Sequence, residues 1–154
     1  MTYLLQDRRG GAAVDWKGPV GRLETWFTKE KGIMGIRVLM ADDSKTMRTI
    51  IRRSLQAVGV NEATEAGDGS EAIAMFKPGE FDLVLTDWNM PGQPGIEVAR
   101  AIRAQDAKVP IIMITTEADK ERVVQAVQAG VTDYLLKPFT PDALREKLVK
   151  YGCG

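Results

Sequence analysis

Four places in the chain carry side chains suited to handling a phosphoryl group, and each lies at the end of a short apolar run. Asp42 and Asp43 follow IRVLMA, and Asp87 follows FDLVLT. Thr115 closes VPIIMIT with Thr116 behind it, and Lys137 follows DYLL. Three carboxylates brought into one cleft repel, and are tolerated only with a cation or with protons among them. A donor set made of oxygen, without nitrogen or sulfur, selects a hard cation. Magnesium suits best, because it keeps several waters and takes a few carboxylates beside a phosphate. Lys137 would neutralise one phosphoryl oxygen, the Thr115 hydroxyl would donate to another, and magnesium would hold the third. Phosphoryl transfer asks mainly for such positioning and charge neutralisation.

The chain contains no histidine. That excludes Ser-His-Asp and Cys-His nucleophile systems and any imidazole metal ligand, and the chain cannot itself carry phosphohistidine. The covalent acceptor is then expected to be a carboxylate. Asp87, on the central run, is the candidate nucleophile. Asp42 and Asp43, on a neighbouring run, are better placed to hold metal. Each piece alone has an ordinary explanation. An Asp-Asp pair after a strand is often a helix cap, Lys-Pro is often a turn, and threonine is common at strand ends. The argument rests on all four ends carrying a suitable type in a suitable order.

These residues meet only if the fold brings the ends of the runs together. Ile36 to Ala41 reads as a buried strand, and Thr46 to Val58 has apolar residues at helical spacing: Met47, Ile50, Ile51, Leu55 and Val58. Asn61 to Ala66 is a weaker strand, and Gly69 to Phe76 a short helix. Phe81 to Thr86 is the next buried strand and Ile96 to Ile102 the next helix. Val109 to Thr115 is the most apolar strand, with Pro110 near its start where a missing N–H matters least. Ala118 to Ala129 is helical and closed by Gly130. Thr132 to Leu136 is a fifth strand. Pro141 to Tyr151 is the last helix, with Thr140 as N-cap and Pro141 at N1. Strands alternating with helices imply parallel pairing and right-handed crossovers, hence a doubly wound three-layer α/β sandwich. In such sheets, function collects at the carboxyl ends of the strands.

The 154 residues fit one domain, and an apolar fraction of 44% is enough for a core of that size. Lysine plus arginine equals aspartate plus glutamate, at 21 each, which argues against a nucleic-acid binder acting through bulk charge. A single cysteine, Cys153, makes neither an intramolecular disulfide nor a zinc cage. The apolar runs are strand-sized, so no membrane span is expected. Asp7, Arg8 and Arg9 fall where a signal peptide needs its apolar stretch, so a cytoplasmic location is expected. Residues 1–34 stand outside the alternating pattern and are rich in Gly10, Gly11, Gly18, Pro19, Gly21 and Gly32. A short helix over Val20 to Lys31, docking a partner, is one reading. The density of breakers favours a poorly ordered leader, or an upstream start with Met34 as the natural one. The expected division is therefore 1–34 and 35–154.

Residues 35 to about 151 resemble the receiver domain of two-component response regulators, most closely the single-domain chemotaxis type. The matching stretches are LMADDS (39–44), DLVLTDWNMPG (82–92), IMITTEAD (112–119) and DYLLKPFT (133–140). The resemblance implies a flavodoxin-like sandwich of five parallel strands, order 2-1-3-4-5, with five helices. It implies Asp87 as phosphoacceptor, Asp42 and Asp43 as the acidic pair for Mg2+, and Asn89 as the residue whose backbone carbonyl also ligates the metal. It implies Thr115 as the switch hydroxyl, Lys137 as the conserved-type lysine, and Tyr134 as an aromatic switch that turns inward on activation. Asn89 and Glu117 occupy the positions that tune hydrolysis of the acyl phosphate, and Trp88 also resembles the chemotaxis type. The Lys137-Pro138 peptide is expected to be cis. One departure stands out. The family usually has Asp-Gly where this chain has Pro94-Gly95, so the third helix loses a capping carboxylate.

The function expected from these readings is a switch rather than an enzyme. A sensor histidine kinase would phosphorylate Asp87, and the face formed by helix 4, strand 5 and helix 5 would change shape and bind a target, such as the flagellar motor switch. Reset would come by hydrolysis, with or without a phosphatase. Only Gly152, Cys153 and Gly154 follow Tyr151, so output is expected through protein–protein contact rather than through nucleic acid or membrane. A phosphorelay intermediate, passing the group on to a histidine phosphotransfer protein, is the alternative within the class. A phosphohydrolase with Asp87 as nucleophile is the alternative outside it. Such enzymes place a second carboxylate two residues later as general acid, and here that residue is Asn89. A flavin-binding sandwich is open to the same fold, but the acidic cleft would repel a flavin phosphate.

Overall fold

In the computed structural model, the described residues are 3–4, 15–16 and 35–152. Contacts divide the chain into Met1–Gly32 and Ile33–Gly154. In the first unit, Tyr3–Leu4 pairs antiparallel with Asp15–Trp16. The helix expected over Val20 to Lys31 lies outside the described residues. All else below concerns the second unit.

Three strands are apolar along their length because both of their faces are covered. In β1 (Arg37–Ala41), Val38, Leu39, Met40 and Ala41 are buried. Every residue of β3 (Leu83–Thr86) and β4 (Ile111–Thr115) is buried. In β2 (Glu62–Ala66) every residue but Ala66 is at least partly exposed, and β5 (Asp133–Leu136) is mixed. Those two are the edges. The order is β2-β1-β3-β4-β5 and every pairing is parallel. The faint alternation of EATEA, which makes β2 hard to read as a strand, is the signature of an edge with little to bury.

The five helices are α1 (Lys45–Ala57), α2 (Gly69–Met75), α3 (Gly95–Gln105), α4 (Lys120–Gln128) and α5 (Pro141–Lys147). Alternate strand residues face opposite ways, so the sheet feeds two cores. Leu39, Ala41, Val84, Ile111 and Met113 pack with Ala72 of α2, Val98 and Ile102 of α3, and Ala126 of α4. Val38, Met40, Leu83, Leu85, Ile112 and Ile114 pack with Ile51 and Leu55 of α1 and Leu144 of α5. The result is the three-layer sandwich that the alternation implies.

Boundaries shift for identifiable reasons. The strand expected from Phe81 begins at Leu83: the Asp82 N–H still donates to the Arg37 carbonyl at 2.8 Å, while the Arg37 N–H and guanidinium go to the Asp82 carboxylate rather than to a backbone carbonyl. The strand expected from Val109 begins after Pro110, which has no N–H to give but accepts one from Val84 at 2.9 Å. The last helix is α-helical only to Lys147 and continues as one π turn over Leu148–Gly152. Thr140 caps α5 by accepting the Ala143 N–H, with Pro141 at its start. Gly130 closes α4 at φ +97°, a conformation that L side chains rarely adopt.

Candidate functional site

Register carries the reactive types to one edge. Ala41 pairs with both Ala66 and Thr86, so Asp42 and Asp87 each stand one residue past a pair of aligned strand ends. The Asp87 N–H donates to the Ala41 carbonyl at 2.9 Å, which ties the end of β3 to the end of β1. Thr86 pairs with Met113, so β4 runs on past β3 to Thr115. The Lys137 N–H donates to the Thr115 carbonyl at 2.9 Å and sets Lys137 at the same edge.

The structure brings four of the expected residues together. Asp42, Asp43 and Asp87 each offer a carboxylate oxygen within 4.8 Å of the others. The Lys137 ammonium lies 2.9 Å from Asp42 Oδ2 and 3.5 Å from Asp87 Oδ1. Asp42 is buried, and its Oδ1 also accepts the Ser44 N–H. Asp43 is exposed. Asp87 is half-buried, and its Oδ1 also accepts the Trp88 N–H at 2.8 Å. One ammonium against three carboxylates leaves a surplus of negative charge in a partly desolvated cleft. Burial, then the neighbouring Asp42, pushes the Asp87 carboxyl above the usual carboxylate range, against the opposing pull of Lys137 and the Trp88 N–H. The donor atoms are all carboxylate oxygens, so the set fits a hard divalent cation and would relieve its own repulsion by taking one.

Thr115 is buried, and its hydroxyl oxygen accepts the Glu117 N–H at 3.3 Å. Asn89 is exposed, two residues beyond Asp87. Glu117 is exposed and ion-paired with Arg122. Tyr134 is half-buried, and its hydroxyl donates to the Arg122 carbonyl at 3.1 Å. Burial and the nearby Asp119 raise its pKa. The Lys137-Pro138 peptide is cis.

The α3 start shows how the Pro94-Gly95 departure is accommodated. Pro94 stands at the N-cap and offers no side-chain bond. The Glu97 N–H, which a capping side chain would take, donates to the Pro94 carbonyl at 2.9 Å, and the Gly95 N–H donates to the Trp88 carbonyl at 2.7 Å. A Cβ at Gly95 would sit 2.1 Å from the Asp87 carbonyl oxygen, so glycine is required for this approach.

Three contributors escape the sequence reading. Ser44 caps α1 through its hydroxyl and holds Asp42 through its N–H; a serine ahead of a helical period was a legible signal. Arg48 donates to the Asp42 carbonyl at 2.7 Å from one turn into α1. Arg122 stands three residues after Asp119, a spacing that does announce a pair, but nothing in the sequence announces its reach to Trp88.

Comparison with known proteins bears on the whole unit. Residues 38–149 match the family model described as "Response regulator receiver domain". The chain is 47% identical over 117 residues to chemotaxis protein CheY-3 of Vibrio cholerae serotype O1, covering 75% of this chain and 90% of that protein. It is 44% identical over 117 residues to chemotaxis protein CheY of Pseudomonas aeruginosa, covering 75% and 94%. Among solved structures, Vibrio cholerae chemotaxis protein CheY4 superposes with a TM-score of 0.70 at 36% identity, covering 75% of this chain and 98% of that one. The receiver domain of Francisella response regulator 1452 gives 0.66 at 30% identity, covering 75% and 96%.

Proposed function

The chain belongs to the response regulator receiver domain family, and from that premise we propose that it is a single-domain switch phosphorylated on Asp87 by a sensor histidine kinase. One observation carries the reading: a single ammonium, Lys137, lies within reach of both Asp42 and Asp87, with Asp43 alongside. A structural ion pair needs one carboxylate. A site that must accept a phosphoryl group needs a nucleophile, a cation and spare negative charge for metal.

In the proposed step, an Asp87 carboxylate oxygen forms a bond to phosphorus while the phosphorus–nitrogen bond of phosphohistidine breaks. The electron pair leaves on the histidine nitrogen, which takes up a proton. A magnesium ion held by Asp42, Asp43, Asp87 and the Asn89 carbonyl would supply charge neutralisation on the phosphoryl oxygens. Lys137 swings its ammonium from the carboxylates to the new phosphoryl oxygens, where negative charge now concentrates. Thr115 donates its hydroxyl to the same group. Its move loosens the packing near Tyr134, and the α4–β5–α5 face takes its second arrangement, a two-state element biased by a local charge event. Asn89 and Glu117 set how fast water removes the group. With Asn89 in place of a second carboxylate, no general acid stands ready for turnover on outside substrates.

The relatives named as chemotaxis proteins, together with Trp88, Asn89 and Glu117, support a role in chemotaxis with the flagellar motor switch as target, and a cytoplasmic location. In this reading 35–154 is the receiver domain and 1–34 is a leader apart from it.

The test is incorporation of phosphate from acetyl phosphate with magnesium, followed by Trp88 emission on adding beryllofluoride. The parent should take up phosphate and change emission, and Asp87→Asn should do neither. Equal uptake by Asp87→Asn, or none by the parent, ends the reading. Capture by a motor-switch peptide only with beryllofluoride supports the chemotaxis assignment. Transfer of label to a histidine phosphotransfer domain instead would make the chain a relay.

A further inference from the structure

Arg122 joins groups that neither the fold nor the phosphoryl chemistry requires to be joined. Its guanidinium pairs with Glu117 and, at 3.2 Å, with Asp119, and its central carbon lies 5.6 Å from the centroid of the Trp88 ring. Its N–H donates to Asp119 Oδ1 at the α4 cap, and its carbonyl accepts the Tyr134 hydroxyl. Two of these partners adjoin the cleft. Trp88 follows Asp87 and bonds its carboxylate through the backbone N–H. Glu117 bonds the Thr115 hydroxyl oxygen through its own N–H. One side chain therefore ties the first turn of α4 to the neighbours of Asp87 and of Thr115.

A half-exposed ion pair contributes little stability. Its value here is positional. A planar guanidinium presents donors in a rigid fork and can hold two carboxylates while covering an aromatic face, which a lysine ammonium cannot do. Without it, Glu117 is a bare carboxylate on a loop and the indole loses its cover.

We propose that Arg122 is a positioning residue that clasps the β4–α4 loop to Trp88 as the rim of the Asp87 cleft, and so sets how readily water and small phosphodonors reach Asp87. This rests on Asp87 as acceptor. The clasp slows arrival and removal of the phosphoryl group together, because both need passage across the same rim.

The experiment uses the full chain with Trp16→Phe and Trp26→Phe, so that Trp88 is the one remaining tryptophan. Acrylamide quenching of Trp88 is measured without phosphodonor. Gain of label from acetyl phosphate with magnesium, and its loss after the donor is removed, are then timed. Arg122→Gln should make Trp88 more quenchable and raise both rates by about threefold to tenfold, the scale of one ion pair plus one cation–π contact. Arg122→Lys, which keeps the charge but not the fork, should fall between. Unchanged quenching overturns the clasp, as do rates that move in opposite directions or a full return to parent values with lysine. If the parent takes no label, the acceptor reading fails, while the quenching comparison still judges the clasp on its own.

Discussion

Asp87 and Asp133 sit at opposite edges of one sheet and are held in opposite ways. Asp133 opens β5 at the amino edge. Its Oδ2 accepts from the Lys147 ammonium and the Tyr151 hydroxyl, both at 2.8 Å, and its Oδ1 accepts from the Tyr134 N–H at 2.7 Å. Burial pushes its pKa up, but these three donors outweigh burial and hold it below the usual range. Asp82, also at the amino edge, is held low chiefly by its hydrogen bond from Arg37. Asp87 closes the carboxyl edge, where burial and Asp42 outweigh Lys137 and raise it. At one edge the carboxylates have donors to spare, and at the other they compete for one ammonium. At the amino edge the charges hold the fold, and at the carboxyl edge the carboxylates are left short of partners.

The contrast breaks most readily at Lys137. Lys137→Met leaves a buried Asp42 facing Asp87 without a cation, and should cost about 3 kcal/mol of unfolding free energy in chelator. Millimolar magnesium should restore part of that loss in urea titrations. Equal stability of parent and variant in chelator would show that the carboxyl edge carries no excess repulsion. Gly95→Ala probes the same edge through its backbone. With a Cβ at 2.1 Å from the Asp87 carbonyl oxygen, α3 must shift, for a loss of about 1–3 kcal/mol by denaturation. Magnesium should leave that loss in place. At the amino edge, Asp133→Asn should cost about 1–2 kcal/mol at pH 7. The folded pKa of Asp133 is depressed, so its contribution is present above the unfolded value of about 3.9 and disappears as pH falls through the folded value. The deficit of Asp133→Asn should therefore shrink on acidification and show no response to magnesium.

How much of this was legible follows the same division. The central strands announce themselves because a strand covered on both faces must be apolar throughout, so IRVLMA, FDLVLT and VPIIMIT were readable, and with them the positions of Asp42, Asp87 and Thr115. Lys137 follows from the strand before it. The family resemblance added what spacing leaves open, including Tyr134, Asn89 and Glu117. What the sequence withheld is contact between side chains far apart in the chain. Nothing in VKYG says that Tyr151 returns to Asp133, and nothing in DKER says that Arg122 covers Trp88. The tie from the Gly95 N–H to the Trp88 carbonyl was likewise hidden, because the missing carboxylate is visible in sequence and a backbone contact across the loop is not.

The smallest effect gives the sharpest comparison, because its sign is opposite to that of Asp133. Asp87 has a folded pKa above its unfolded value. It therefore stabilises the fold fully below the unfolded value of about 3.9, and that stability is lost as pH rises through the folded value. At pH 7, without divalent cation, ionised Asp87 is a net burden. Asp87→Asn keeps the shape, removes the charge, and leaves Lys137 to Asp42 alone. It should raise unfolding free energy at pH 7 by a few tenths to about 1 kcal/mol, the scale of a charge–charge contact that is partly open to solvent. The gain should fade toward zero as pH approaches the unfolded value, where both chains carry a neutral group. Magnesium should narrow the gap from the other side, by stabilising the parent more than the variant. Urea titrations of the two chains at pH 4, 5.5 and 7, each with chelator and with magnesium, would measure this. A variant less stable than the parent at pH 7 in chelator would mean that Asp87, like Asp133, is there to hold the fold.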